Sequence, residues 1–306
     1  MAEEKKNPGD AEKITRDYLD SLLVEMRHID SVDPSAKLEL YGHSFDTPVM
    51  LAALSHLNKT HPEGLVEAAR GIKAANAVMW CGMGSEEELE AICNTGAKTI
   101  KIIKPYKDNK DIFKKIEHAE KSGCIAIGMD VDHQFGGMGS WYRCAGFDMA
   151  PKTLDEIKSF VKAAKLPFII KGVTSEIDAR KCLDAGIQGI VVSHHHGMVP
   201  YPVPPLQALP GIVKVINGKM PIFVDCSIDT GMDTFKAIAL GAAAVSVGRA
   251  IMPVLKEEGA AGVARYIQQM TDTLRWAMAV TCSKDLKSID PSVIWHKNTT
   301  LLQNRQ

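Results

Sequence analysis

Short apolar runs alternate with longer stretches of helical periodicity through most of the chain. The runs occupy residues 48–53, 77–81, 99–103, 124–130, 168–172, 189–193, 222–225 and 244–248. Each is near-continuously apolar rather than strictly alternating, the pattern of parallel strands covered on both faces. Helical patterns separate them at 62–75, 85–94, 109–122, 153–164, 175–185, 205–216 and 232–240, with a last helix from about 260 to 280. Ser85 and Ser175 stand at helix starts, and Gly96, Gly123, Gly186 and Gly241 where helices should stop.

Eight strand–helix units predict an α/β fold, a closed (β/α)8 TIM barrel, rather than an open doubly wound sheet. An open sheet should carry a glycine-rich dinucleotide loop after its first strand, and AALSHLN has none. Ahead of the barrel, residues 11–29 read as an amphipathic helix with Ile14, Tyr18, Leu22 and Met26 on one stripe. Residues 37–41 alternate and read as a short strand capping one end of the barrel. The first ten residues read as a disordered tail. No domain boundary interrupts the rhythm, so residues 1–306 are expected to form one domain. The single irregular stretch is 131–151, rich in glycine and aromatic residues after the fourth strand, where long barrel loops are functional.

Composition narrows the partners. The 306 residues are 45% hydrophobic and 24% charged, with a formal net charge of -1. That balance gives no electrostatic case for nucleic acid or an anionic membrane. No stretch approaches the roughly 20 apolar residues of a membrane span. The start, MAEEKKNPGDAEK, lacks the apolar core of a signal peptide. Seven cysteines without a CxxC pair read as free thiols in a reducing compartment, which makes cytoplasmic the expected location.

Chemistry in this fold sits at the C-terminal ends of the strands. Asp130, Asp132 and His133 follow the fourth strand; Lys171 lies on the fifth; Ser193, His194, His195 and His196 follow the sixth. Asp225 ends the seventh strand, and Gly248 and Arg249 end the eighth. A Gly–Arg pair there suits a phosphate, the glycine by close backbone approach and the arginine by a charge-assisted fork; capping or a surface ion pair is the plain alternative for Arg249. A lysine inside an apolar strand needs an anionic partner. A flavin N1–C2=O locus, a Schiff base, or a salt bridge to Asp225 would each explain Lys171. The triple histidine offers an acid–base group or a metal site. Adjacent side chains on extended chain alternate, so His194 and His196 are expected to converge and His195 to point away. Trp80, Cys81 and Met83 end the second strand, as ring neighbours or as core. Trp141, Tyr142 and Phe147 form a lid or cover the barrel top. Cys226 reads as a buried thiol.

The segment IIKGVTSEIDARKCLDAGIQGIVVSHHHG resembles the lysine-bearing strand and histidine loop of the FMN-dependent α-hydroxy acid oxidase and dehydrogenase family. DCSIDTGMDTFKAIALGAAAVSVGRAIM resembles its phosphate-binding end, PVMLAALSHLNKTHPEG its first strand, and AGVARYIQQMTDTLRWAMAVTC its final helix. The likeness runs from about Tyr18 to Val293. It implies that FMN is the cofactor, that Lys171 contacts the flavin ring, and that Asp225 contacts the ribityl chain or nearby backbone. It further implies that Gly248 and Arg249 hold the phosphate, with Ser193, Ala53 and Cys81 also at the cofactor, and that His195 is the base. The family's Ser-Asn-His-Gly-Gly-Arg pattern reads here with His194 for Asn, His196 for the first Gly and Met198 for the substrate-binding Arg. Its Gln-x-Tyr reads Ile102-Ile103-Lys104. Its Asp-Gly-Gly-x-Arg reads Asp225-Cys226-Ser227-Ile228-Asp229. The family's second substrate arginine has no counterpart, since Arg143 lies in a different context.

Three functions follow from these residues. The first is an FMN-dependent oxidoreductase with His195 as acid or base, His194 and His196 helping, on a small molecule that need not be a 2-hydroxy carboxylate. The second is a metal-dependent lyase, isomerase or hydrolase using His194 and His196 with Asp130, Asp132 or His133. The third is a non-catalytic flavin-binding protein. A homotetramer is the expected assembly by analogy with barrel relatives.

Overall fold

The computed structural model describes residues 9–135 and 142–297. Eight parallel strands close a barrel: β1 (Val49–Leu54), β2 (Met79–Cys81), β3 (Thr99–Ile103), β4 (Ala126–Asp130), β5 (Phe168–Lys171), β6 (Gly189–Val192), β7 (Ile222–Val224) and β8 (Ala244–Val247). Each pairs with its sequence neighbour, and β8 pairs with β1 through Val245↔Val49. Every strand lies within the apolar run predicted for it or extends one residue beyond it, because a strand buried on both faces writes itself into the sequence as unbroken hydrophobicity.

Helix α1 (Ala11–Ser21) precedes the barrel, and α2 (Gly64–Ala74), α3 (Glu86–Asn94), α4 (Asn109–Lys121), α5 (Leu154–Ala163), α6 (Glu176–Asp184), α7 (Pro205–Ile216), α8 (Gly231–Ala239) and α9 (Met252–Ala279) follow its strands in turn. Ser85 and Ser175 cap α3 and α6 by accepting from Glu88 N–H and Asp178 N–H. One predicted boundary fails for a physical reason. The expected helix over 11–29 stops at Ser21, because Leu22–Val24 turns extended and pairs antiparallel with Ile294–His296, a partner far away in sequence. The expected last helix from about 260 is present, and an unpredicted helical segment from Met252 runs into it across a kink at Gly259 (φ 59°, ψ -139°). The predicted tail is also shorter than expected. Asp10 caps α1 by accepting from Glu12 N–H and Lys13 N–H, and Gly9 C=O accepts from Tyr201 N–H; the rest of that tail, residues 1–8, lies outside the described residues.

Strand parity divides the core into two layers. Met50, Trp80, Ile102, Ile169, Val191 and Phe223 fill the barrel interior. The hairpin Leu38–Leu40 with His43–Phe45 adds Leu38, Leu40 and Phe45 to that layer and plugs the N-terminal end. The alternate residues, such as Val49, Leu51, Met79, Ile127 and Ile170, pack outward under the helices. Parity also predicts what happens at the open end. Continuing the inward series Ile100, Ile102 reaches Lys104; Ala126, Gly128 reaches Asp130; Ile169 reaches Lys171; Val191 reaches Ser193; and Phe223 reaches Asp225. The interior is apolar below and ionic at its C-terminal rim.

Candidate active site

Four of those rim residues form one buried network. Lys171 Nζ lies 2.9 Å from Ser193 Oγ, 3.1 Å from Asp225 Oδ2 and 3.8 Å from Asp130 Oδ1. Burial works against the Lys171 ammonium, but Asp225, Asp130 and Asp132 outweigh it and raise its pKa. Burial likewise opposes the Asp225 carboxylate, and Lys171, Ser193 and Cys226 overcome it, so Asp225 stays below the usual carboxylate range. Of the readings open for Lys171, the ion pair with Asp225 is present. A lysine held this firmly as an ammonium is a poor Schiff-base nucleophile.

The histidine loop departs from the predicted alternation. His195 and His196 have φ of 52° and 54°, so the chain turns instead of running extended and side-chain alternation does not apply. His194 faces α1, its Nε2 2.6 Å from Thr15 Oγ1. His196 Nδ1 lies 3.2 Å from an Arg249 guanidinium nitrogen, and its ring centroid is 6.3 Å from that of His194. These two do not converge with Asp130 and His133. It is His195 that turns inward, its Nδ1 3.3 Å from both Asp132 oxygens and 3.4 Å from Lys171 Nζ. His133 Nδ1 shares Asp132 at 3.0 Å, and the two imidazoles are 4.0 Å apart. Asp132 is buried, which opposes its charge, yet hydrogen bonds from His133 and His195 and the field of Lys171 hold it well below the usual range. An ionised carboxylate needs donors, so both rings present Nδ1–H to it. Burial pushes the His133, His194 and His196 pKa values down. Among the described residues, the group that could hold a metal is Asp130, His133 and His195, whose ligand atoms lie within 4.8 Å of one another.

Lys104 is the residue that sequence reasoning registered only as a loss of glutamine and tyrosine. Its Nζ donates to Asp130 Oδ2 at 2.5 Å, in the interior. Parity along β3 was the signal that placed it there.

A cavity of about 600 Å³ runs from this network to the end of β8, within the range of cofactor sites. Ala53, Lys171, His195 and Asp225 stand at its inner end, and Gly248, Arg249 and Glu12 at its outer end. Cys81 is not in its wall. Its side chain belongs to the outer layer beneath the helices, where burial raises the thiol to about 11. Trp80 is barrel core, stacked edge-on to Phe223. Cys226 is the buried thiol expected, pushed up to about 12 by burial and Asp225. Of the lid residues, Tyr142 packs edge-on to His133 and Phe147 to Tyr106; Trp141 lies outside the described residues. Arg143 sits on a small hairpin beside Asp148.

The outer end suits a phosphate. A Cβ added at Gly248 would meet nothing within 4 Å, so its backbone faces open space. Ser227 Oγ is buried, lines the same cavity and has no hydrogen-bond partner among the described residues. Cys226 and Ser227 hold left-handed φ of 70° and 57° without being glycine, a strain typical of functional loops. Arg249 is turned to Glu12 at 2.7 Å. Asp229 lines the cavity too, its pKa raised by burial and Asp233. Glu12 carried no sequence signal beyond its place in the first turn of α1.

An ionic rim joined to an outer end lined by Gly248, Arg249 and Ser227, on a closed barrel, fits a flavin-phosphate oxidoreductase. The model of the FMN-dependent dehydrogenase family matches residues 4–154 and 150–296. The chain belongs to that family, is an FMN-dependent oxidoreductase, and has FMN as its cofactor. It is 28% identical to glycolate oxidase of Spinacia oleracea over 311 residues, 89% of this chain and 82% of that protein. It is 29% identical to 4-hydroxymandelate oxidase of Amycolatopsis orientalis over 285 residues, 82% of this chain and 80% of the relative. Among solved structures, mandelate oxidase carrying a monooxide FMN adduct superposes with a TM-score of 0.85 at 28% identity, covering 94% of this chain and 91% of that one. No described helix is long and apolar enough to cross a membrane.

Proposed function

We propose that this chain oxidises a hydroxyl- or amine-bearing carbon, or reduces the corresponding product, with His195 as the acid–base group. The observation that carries the reading is the Asp132–His195 contact beside Lys171 at the inner end of the cavity. When bound, FMN supplies the two-electron acceptor or donor, a hydride passing to or from N5. Lys171 and Ser193 would hold the ring end; Gly248, Arg249 and Ser227 would hold the phosphate. With Nδ1–H committed to Asp132, neutral His195 carries its lone pair on Nε2 and takes the substrate proton there. Asp132 fixes the tautomer and stabilises the imidazolium that results, and in the reverse direction the same proton returns to substrate. His196 contributes through Arg249, and His194 anchors the loop to α1.

The purified protein should be yellow, and added FMN should raise its melting temperature. His195→Gln should keep the flavin spectrum and lose about 10²- to 10⁴-fold in turnover. A colourless protein whose melting temperature ignores FMN sinks the reading. Retained flavin with a wild-type rate in His195→Gln removes the acid–base role, and flavin without any turnover favours a binding protein. The metal reading has moved to Asp130, His133 and His195. Lys104 already occupies Asp130 Oδ2, which leaves a metal one oxygen of that carboxylate; elemental analysis separates the two. A homotetramer, read from light scattering, and a cytoplasmic location remain part of this proposal.

A further inference from the structure

The charges at the inner end of the cavity close on themselves. Two cations stand there, Lys104 and Lys171, and each already meets a carboxylate: Lys104 at Asp130 2.5 Å away, Lys171 at Asp225 3.1 Å away. Asp132 is the third carboxylate, and its partners are the His133 and His195 rings. Two lysines thus face three carboxylates, and neither lysine is left without a carboxylate partner. The third buried lysine of the barrel, Lys101, faces the outer layer and donates to Gly82 C=O. Arg249 lies at the opposite end with Glu12. A substrate carboxylate would therefore have to break a buried ion pair to find a cation there.

A second observation points the same way. Asp130 Oδ1 is buried and has no hydrogen-bond partner among the described residues. It lies 3.8 Å from both Lys171 Nζ and His195 Nδ1, two side chains that line the inner cavity. A buried acceptor without a donor is costly, and an O–H or N–H of a ligand fills it. We infer that the substrate presents a hydrogen-bond donor and no carboxylate at the reacting end: an alcohol or an alkylammonium compound. The inference rests on the flavin site proposed above and names its substrate class.

Three probes share one carbon skeleton and differ only at the first carbon: lactate, propane-1,2-diol and 1-amino-2-propanol. Each is titrated anaerobically into the FMN-loaded protein while the visible flavin bands are followed. The diol or the amino alcohol should perturb the spectrum with an affinity at least about tenfold above that of lactate, about 1.4 kcal/mol. Asp130→Asn should abolish the amino alcohol's advantage over lactate, while Lys104→Met should enlarge it by removing a positive charge. Which of the two favoured probes binds tighter separates alcohol from ammonium. Lactate binding as tightly as either, or no probe perturbing a normal flavin spectrum, overturns the inference and leaves the flavin reading intact. Absence of a flavin spectrum strikes the reading beneath it instead.

Discussion

The two ends of the cavity handle charge in opposite ways. At the inner end Lys171, Asp130, Asp132 and Asp225 have side chains between 3% and 13% exposed, and their pairing holds Lys171, Asp132 and Asp225 ionised against desolvation. At the outer end Arg249 and Glu12 are 55% and 60% exposed, in water that screens them within about 8 Å at physiological salt. A buried network cannot reshuffle cheaply, so a ligand must match it. An exposed pair exchanges partners at little cost, so a ligand can displace it. The inner end therefore sets which chemistry is admitted, and the outer end sets how tightly the cofactor is retained.

The largest effect should come from breaking the inner network. Lys171→Met leaves Asp225 and Asp130 buried with one cation fewer, and removing one partner of a buried pair costs about 3–5 kcal/mol. Chemical denaturation of the FMN-free protein should show a loss of that order. Arg249→Met, removing an exposed cation, should change stability by less than about 1 kcal/mol. Equal losses in the two variants would erase the distinction between the ends.

An intermediate effect comes from pH. His133 and His194 are buried, His196 lies exposed beside Arg249, and each has its folded-state pKa pushed down, mainly by desolvation. Below the unfolded value, about 6.5, the unfolded chain binds protons that the folded chain refuses, so stability falls as pH falls. Asp132 is the depressed-carboxylate case: its contribution is complete above about pH 3.9 and is lost as pH drops toward its lower folded value. Melting temperature should decline between about pH 7 and 5, and His133→Gln should flatten that decline. An unchanged slope would mean that His133 is not shielded from water in solution as its burial requires.

How much of this was legible beforehand follows from what each feature depends on. The barrel strands were readable because burial on both faces leaves an unbroken apolar run, and Lys171, Asp225, Gly248 and Arg249 were readable because they interrupt such runs. Leu22–Val24 was not, since only pairing with Ile294–His296 turns a helical pattern into a strand. The expected convergence of His194 and His196 failed because alternation presumes an extended chain, and the left-handed turn at His195 and His196 sends His195 inward instead. Lys104 looked like an absence because its partner, Asp130, lies on the next strand. Glu12 could not be found at all, because helix α1 meets the end of β8 only in three dimensions.

That last contact gives the smallest and most discriminating test. Phosphate and the Glu12 carboxylate would compete for one guanidinium, and the neighbouring Asp229 adds no cation to help. Removing Glu12's charge should therefore tighten FMN binding rather than weaken it. Because the pair is exposed and worth at most about 1 kcal/mol, Glu12→Gln should lower the FMN dissociation constant only about two- to fivefold, read by quenching of FMN fluorescence. The gain should shrink as salt rises, since screening already weakens the competition. Asp229→Asn, half-buried with its pKa raised, should gain less, because its carboxyl is more readily neutralised than an ordinary one. Weaker FMN binding in Glu12→Gln would mean that α1 helps to hold the phosphate instead of competing with it, and the outer end would then be as built for its ligand as the inner end is.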